Sequence, residues 1–183
     1  MKVINTKLDG VLIIEPRIFG DERGFFYETF HAQRYKEFGI KENFVQDNRS
    51  RSTGGVLRGL HFQKRKPQGK LVTVTQGEVF DVAVDLRPNS STFGKYESIV
   101  LTGENKIQFY IPPGFAHGFC VLSDSADFQY KCTDFYDPSD EGGLIWNDKT
   151  VDINWPIEEP KLSDKDKILP SLEQIAKNLK EGW

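Results

Sequence analysis

The chain has 183 residues, a formal net charge of -3 and a pI near 5.7. With 38% hydrophobic and 28% charged residues it reads as one ordinary globular domain over 1–183, long enough to bury a real core. The acidic balance leaves no polybasic surface for nucleic acid, and the apolar run Val11-Leu12-Ile13-Ile14 is too short for a membrane span or a signal-peptide core.

Short β-rich runs follow one another along the chain. They cover residues 10–15, 24–30, 43–48, 56–63, 70–76, 78–86, 96–101, 107–111, 115–122 and 127–133. Turns separate them: Gln76-Gly77, Arg87-Pro88-Asn89 and Pro112-Pro113-Gly114. Many short strands at even spacing predict an all-β sandwich or barrel. Helix is sparse. Residues 31–38 could form one short helix. Residues 171–181 form a better one, with Leu172, Ile175, Ala176 and Leu179 on one face and Pro170 just before it. Cys120 and Cys132 form neither a disulfide framework nor a zinc pattern, and read as reduced strand residues. With no export signal, the expected compartment is the cytoplasm.

Strand parity places side chains. In 78–86, Phe80, Val82, Val84 and Leu86 share one face, and Val79, Asp81, Ala83 and Asp85 the other. Those carboxylates either line a polar cavity or face solvent. In 56–63, Leu57, Gly59, His61 and Gln63 align, so Arg58 points away from His61 unless Gly59 permits a bulge. Phe115, His117, Phe119 and Val121 align in the next-to-last strand, and Phe128, Tyr130 and Cys132 in the last.

The chain has three histidines, His31, His61 and His117. A metal-binding barrel usually places two histidines at i and i+2, but His61 is followed by Phe62 and Gln63. Neither a metal nor another cofactor is therefore expected. His61 remains a candidate base, although a lone strand histidine is more often a hydrogen-bonded core residue. Lys70 is by default a strand-end lysine, or else a cation at a developing oxyanion. His117 is a core residue or a ligand to phosphate or sugar. Tyr130 is a packed aromatic or a proton donor. Ser163-Asp164-Lys165-Asp166 looks first like a helix start capped by Ser163.

Seven segments occur together and in order: Asp21-Glu22-Arg23-Gly24-Phe25-Phe26, Phe44-Val45-Gln46-Asp47-Asn48, Arg58-Gly59-Leu60-His61-Phe62-Gln63, Gln68-Gly69-Lys70-Leu71-Val72, Val79-Phe80-Asp81-Val82-Ala83-Val84-Asp85, Ile111-Pro112-Pro113-Gly114-Phe115-Ala116-His117-Gly118-Phe119 and Ile145-Trp146-Asn147-Asp148. Jointly they resemble the dTDP-4-dehydrorhamnose 3,5-epimerases, cupin-fold enzymes of dTDP-L-rhamnose synthesis, over nearly the whole chain. The resemblance implies a cupin-type antiparallel β jelly-roll barrel, a homodimer and a dTDP-keto-sugar substrate. It implies His61 as general base with Asp166 as its partner, Tyr130 as general acid and Lys70 beside the C4 oxygen. Arg23, Glu28, Gln46, Asp47, Asn48, Arg58, His117, Glu141 and Lys165 match nucleotide-sugar contacts, and Tyr136 matches the aromatic that stacks on thymine. Arg23 and Glu28 could serve a neighbouring subunit. Related enzymes on this scaffold epimerise one carbon or act as ketoisomerases, and a non-catalytic nucleotide-sugar-binding barrel is a further reading.

Overall fold

The computed structural model describes residues 1–179, and its paired strands run antiparallel. In chain order they are β1 (Lys2–Asn5), β2 (Leu12–Glu15), β3 (Ile18–Asp21), β4 (Gly24–Tyr27), β5 (Gln46–Thr53), β6 (Leu57–Gln63), β7 (Lys70–Gln76), β8 (Glu78–Asp85), β9 (Tyr96–Thr102), β10 (Gln108–Ile111), β11 (Phe115–Val121), β12 (Ser125–Cys132) and β13 (Glu141–Gly143). Helix α1 (Ala32–Glu37) follows β4, and a 3-10 turn (Asp166–Ile168) and helix α2 (Leu172–Leu179) end the described chain. One sheet has the order β1-β2-β10-β7-β12-β5, the other β13-β6-β11-β8-β9, and β3-β4 is a separate hairpin. The two large sheets form a cupin-type jelly-roll barrel.

Burial explains why β8 and β11 read as nearly unbroken apolar runs. Val72, Val79, Ala83, Phe109, Phe119 and Phe128 fill the barrel between the sheets. On the outer side of the five-stranded sheet, Leu60, Phe62, Val82 and Val84 meet Leu172, Ile175 and Leu179 of α2. Tyr35 of α1 similarly covers Leu12, Ile14, Leu71 and Tyr110 of the other sheet. Strands buried on both faces lose clean alternation, so parity alone could not tell the inside of β8 from the outside. Asp81, with no exposed surface, lies inside with the odd-numbered row.

Several expected boundaries move. The strand expected at 43–48 is β5, which starts at Gln46 and continues to Thr53 through a polar stretch. Pairing along β12 from Ser125 to Cys132 supplies the order that its composition does not. Its outer row is held by charge: Arg49 and Arg51 both donate to the buried Asp127, whose carboxyl they keep below the usual range. His31 is the N-cap of α1, its Nδ1 accepting from the Arg34 N–H at 3.4 Å. The expected second helix is found as α2, with Ser171 and Gln174 exchanging the bonds of a capping box and Asp148 accepting from the Leu172 N–H at 2.8 Å. Positions 180 and 181 of that expectation lie outside the described residues. Strands β1, β3 and β13 had no counterpart in the sequence reading. β13 is Glu141-Gly142-Gly143, poor strand residues intrinsically. A Cβ at Gly142 would stand 2.7 Å from the Phe62 ring, and one at Gly143 would collide with Leu169.

One irregularity positions the site. Between His117 and Phe119 of β11, the partner strand advances from His61 to Arg58, so β6 carries one extra residue. Gly59 absorbs the bulge at φ +117. There the two backbones come close: a Cβ on Gly59 would lie 2.7 Å from Gly118 Cα, and a Cβ on Gly118 2.7 Å from the Arg58 carbonyl. Arg58 and His61, opposite in simple parity, thereby end on the same side of β6.

Gly118→Ala has acceptable backbone angles but no room. It is expected to destabilise the fold by about 1–3 kcal/mol, read as a lower denaturant midpoint at unchanged slope. An unaltered midpoint would show that the close approach does not constrain β6.

Candidate active site

The barrel holds a cavity of about 500 Å³ whose lining includes Ser50, Arg58, His61, Lys70, His117, Tyr130, Lys161, Ser163, Lys165 and Asp166. A second lobe of about 280 Å³ shares His61, Lys70 and Tyr130 and adds Gln46, Asn48, Gln63, Cys132, Tyr136 and Glu141. The strands explain the gathering. Inner rows of β6, β7, β11 and β12 contribute His61, Lys70, His117 and Tyr130. The inner row of β5 contributes Gln46, Asn48 and Ser50.

Asp166 reaches the cavity from 105 residues away. The segment before it is anchored to β6: the Leu57 N–H donates to the Lys161 carbonyl at 3.1 Å, and the Lys161 N–H to the Gly55 carbonyl at 2.7 Å. Ser163 then accepts from the Asp166 N–H at 3.1 Å, starting the 3-10 turn much as a cap would. The Asp166 carboxyl is buried and lies 2.7 Å from His61 Nε2. Burial pushes its pKa up, but the His61 hydrogen bond and charge, with smaller help from Ser163 and the Gly59 N–H, hold it below the usual range. A carboxylate only accepts, so His61 Nε2 carries the hydrogen, and in the neutral tautomer this bond selects the lone pair lies on Nδ1.

Lys70 stands 6.0 Å from the Tyr130 ring centroid. Desolvation lowers its pKa, and Cys132, Asp81 and Glu141 oppose that shift. Desolvation also raises the Tyr130 phenol, which stays protonated. His117 is buried, with Nε2 at 3.0 and 3.1 Å from the two Asp81 carboxyl oxygens. Its pKa is lowered, first by desolvation, so the ring is neutral at pH 7. A histidine, a lysine and a tyrosine thus face one shared space.

The other expected contacts divide. The Arg58 Nε–H donates to the buried Ser52 hydroxyl at 3.0 Å while the residue lines the larger lobe. Lys165 donates to Glu141 at 2.7 Å, and the Tyr136 hydroxyl donates to the other Glu141 oxygen at 3.0 Å. Gln46 donates to Asn48 at 3.0 Å. Asp47 is on the outer row of β5, where Lys131 donates to it at 2.9 Å, away from both lobes. Arg23 sits at the β3–β4 hairpin, bound to Asp21, and Glu28 pairs with Arg34 at 2.7 Å. Neither joins the cavity within one chain. The sequence reading missed Ser50, Lys161 and Ser163 as lining residues. Alternation in Asn48-Arg49-Ser50-Arg51-Ser52 could have found Ser50, whereas nothing local marks Lys161. Among the described residues, no three or more His, Cys, Asp or Glu side chains gather as a metal site.

A jelly-roll barrel with a histidine–carboxylate pair, a lysine and a tyrosine turned into one cavity defines a cupin-type sugar isomerase. The family model described as dTDP-4-dehydrorhamnose 3,5-epimerase matches residues 5–174. The chain belongs to that family. The enzyme of that name from Shigella flexneri is 57% identical over 168 residues, spanning 91% of this chain and 93% of its own. A dTDP-6-deoxy-D-glucose-3,5-epimerase structure from Legionella pneumophila, in complex with dTDP-4-keto-L-rhamnose, is 57% identical with a TM-score of 0.94, covering 97% of this chain and 96% of that one. A 3'-monoepimerase from Streptomyces bikiniensis, in complex with dTDP-quinovose, is 31% identical with a TM-score of 0.88, covering 95% and 90%.

Asp166→Asn removes the charge beside His61 and puts an amide that can also donate where only acceptors stood, so the His61 tautomer is no longer fixed. We expect kcat to fall by about 10²–10⁴-fold. Because the Asp166 pKa is depressed by folding, its charge stabilises the fold above the ordinary carboxylate range. That contribution is lost as pH falls through the folded value, so the stability gap between wild type and variant should be present at pH 7 and shrink below about pH 4. Denaturation at both pH values and steady-state rates test this; an unchanged kcat would overturn it.

Proposed function

We propose that the chain inverts C3 and C5 of dTDP-4-dehydro-6-deoxy-D-glucose, giving dTDP-4-dehydro-L-rhamnose. The observation that carries this reading is the convergence of His61–Asp166, Lys70 and Tyr130 on one cavity, in a chain of this family. Hydrogens on both carbons are α to the C4 ketone. His61 Nδ1 removes one, and Asp166 stabilises the imidazolium that results. The electron pair moves onto O4, where the Lys70 ammonium stabilises the enolate as its charge develops. The Tyr130 hydroxyl, kept protonated by its buried setting, delivers a proton to the opposite face; water then takes the proton from His61 and reprotonates Tyr130, and the same cycle inverts the second carbon. Arg58 and Lys165 hold the diphosphate, with the guanidinium suited to forked hydrogen bonds. Tyr136 carries the thymine, while Gln46, Asn48, His117 and Glu141 complete the contacts. The proposed steps call for no cofactor.

We further propose that the enzyme is one domain over 1–183 and works as a cytoplasmic homodimer. Two free buried cysteines suit that compartment. The β3–β4 hairpin exposes Ile18, Phe19, Phe25 and Phe26, an apolar surface that a second copy would cover. Such pairing would give Arg23 and Glu28 a neighbouring site to serve. No described helix is long and apolar enough to cross a membrane.

Incubation with dTDP-4-dehydro-6-deoxy-D-glucose in D₂O is expected to place deuterium at both C3 and C5. Label at one carbon would make the enzyme a monoepimerase, and none would leave a binding barrel. Full exchange by His61→Ala would overturn the assigned base. Lys70→Ala should lower kcat about 10²–10³-fold. The wild-type rate should also decline at a pH below that of an ordinary lysine, about 10.4, because the lowered Lys70 pKa removes the needed charge early. A profile flat to that pH would argue against Lys70 as the oxyanion partner.

A further inference from the structure

Gln63 stands where a metal-binding barrel would place its second histidine, and the chemistry above gives it no role. Its side chain is 3% exposed, on the inner row of β6 beside the smaller lobe. Every bond made by its side-chain amide goes to a loop. Its Nε2 donates to the Lys66 carbonyl at 3.0 Å and to the Phe135 carbonyl at 3.3 Å. Its Oε1 accepts from the Asp137 N–H at 2.7 Å. Gln63 therefore grips the backbone immediately before and immediately after Tyr136. The Tyr136 N–H itself donates to Gln46 Oε1 at 2.9 Å.

Residues 133–140 lack helix and strand. No ladder of backbone hydrogen bonds holds this stretch, so side chains must fix where Tyr136 stands. Tyr136 as a residue is 49% exposed, and its hydroxyl reaches Glu141. An exposed aromatic on a backbone this firmly held is preorganised to receive a planar ligand. An amide suits position 63 because two carbonyls and one N–H must be met together. Glutamate would keep the acceptor but lose both donors, and alanine would leave three partly buried backbone groups without this partner.

We infer that Gln63 is a positioning residue for nucleotide recognition: it fixes the 135–137 turn so that Tyr136 meets the base, and takes no part in proton transfer. This rests on the proposed dTDP-sugar substrate. The test measures kcat, KM and dTDP affinity for wild type, Gln63→Ala, Gln63→Glu, Tyr136→Ala and the Gln63→Ala/Tyr136→Ala double variant. Gln63→Ala is expected to raise KM and the dTDP Kd about 10-fold, as for loss of one or two buried hydrogen bonds, with kcat within about twofold of wild type as for lost uniform binding. The added effect of Gln63→Ala should vanish when Tyr136 is already alanine. Gln63→Glu, closer in size, should show the same KM-only pattern and stands in if the alanine variant does not fold. An unchanged KM, a fall in kcat at constant KM, or full additivity with Tyr136→Ala would each overturn the inference. A wild-type enzyme that neither binds dTDP nor exchanges deuterium would instead bring down the substrate reading on which it rests.

Discussion

The site depends on how closely β6 can approach β11 at Gly59 and Gly118. With side chains there, the strands would be forced apart or the bulge lost. Without the bulge, Arg58 would return to the outer face, leaving the cavity without its arginine. The same kink brings the Gly59 N–H to 3.5 Å from Asp166, alongside the bond from His61. One steric allowance thus couples the placement of Arg58, His61 and Asp166. Arg58 and His61 stand on one strand and Asp166 on the 3-10 turn bonded to it, so the geometry inherits the rigidity of the barrel.

Electrostatics follows from placing these groups inside a core. Polar side chains in the barrel are costly unless paired, and most of them are: His61 with Asp166, His117 with Asp81, Glu141 with Lys165 and Tyr136. Lys70 differs. It is held among Tyr130, Cys132 and more distant carboxylates, and burial disfavours its charge. A cation in that condition gains most from an anion that forms beside it, which is the circumstance an enolate creates. His117 sits on the opposite arrangement: burial keeps it neutral, so it presents hydrogen-bonding capacity without adding a second positive charge near Lys70.

Much of this was legible from the chain because the strands that build the barrel are marked by runs of β-formers and by Pro-Gly turns. β6, β7, β8, β10, β11 and β12 lie within two residues of their expected bounds. Parity correctly grouped His117 with Phe119, and Tyr130 with Cys132. It failed where local pattern carries no tertiary information. The polar β5 is ordered by its partner, the glycine-rich β13 by space, and β8 is buried on both faces. Asp166 shows the limit most clearly. Its own segment reads as a helix start, and only resemblance linked it to His61, because no periodicity spans 105 residues. Gln63 was noticed for what it was not, a metal ligand, and its bonds to the 135–137 turn became visible only in three dimensions.

The division of the cavity into two lobes that share His61, Lys70 and Tyr130 has a consequence for how such an enzyme can diverge. The shared groups stand on β6, β7 and β12, whereas Tyr136 and Lys165 belong to connecting segments. Loops tolerate replacement and insertion better than packed strands. Changes in the segments that carry Tyr136 and Lys165 can therefore accumulate without disturbing the three shared groups, and the reverse holds as well. A barrel of this kind is evolvable in parts: one lineage can alter the sugar's fate at the floor while another alters the handle by which the sugar is carried.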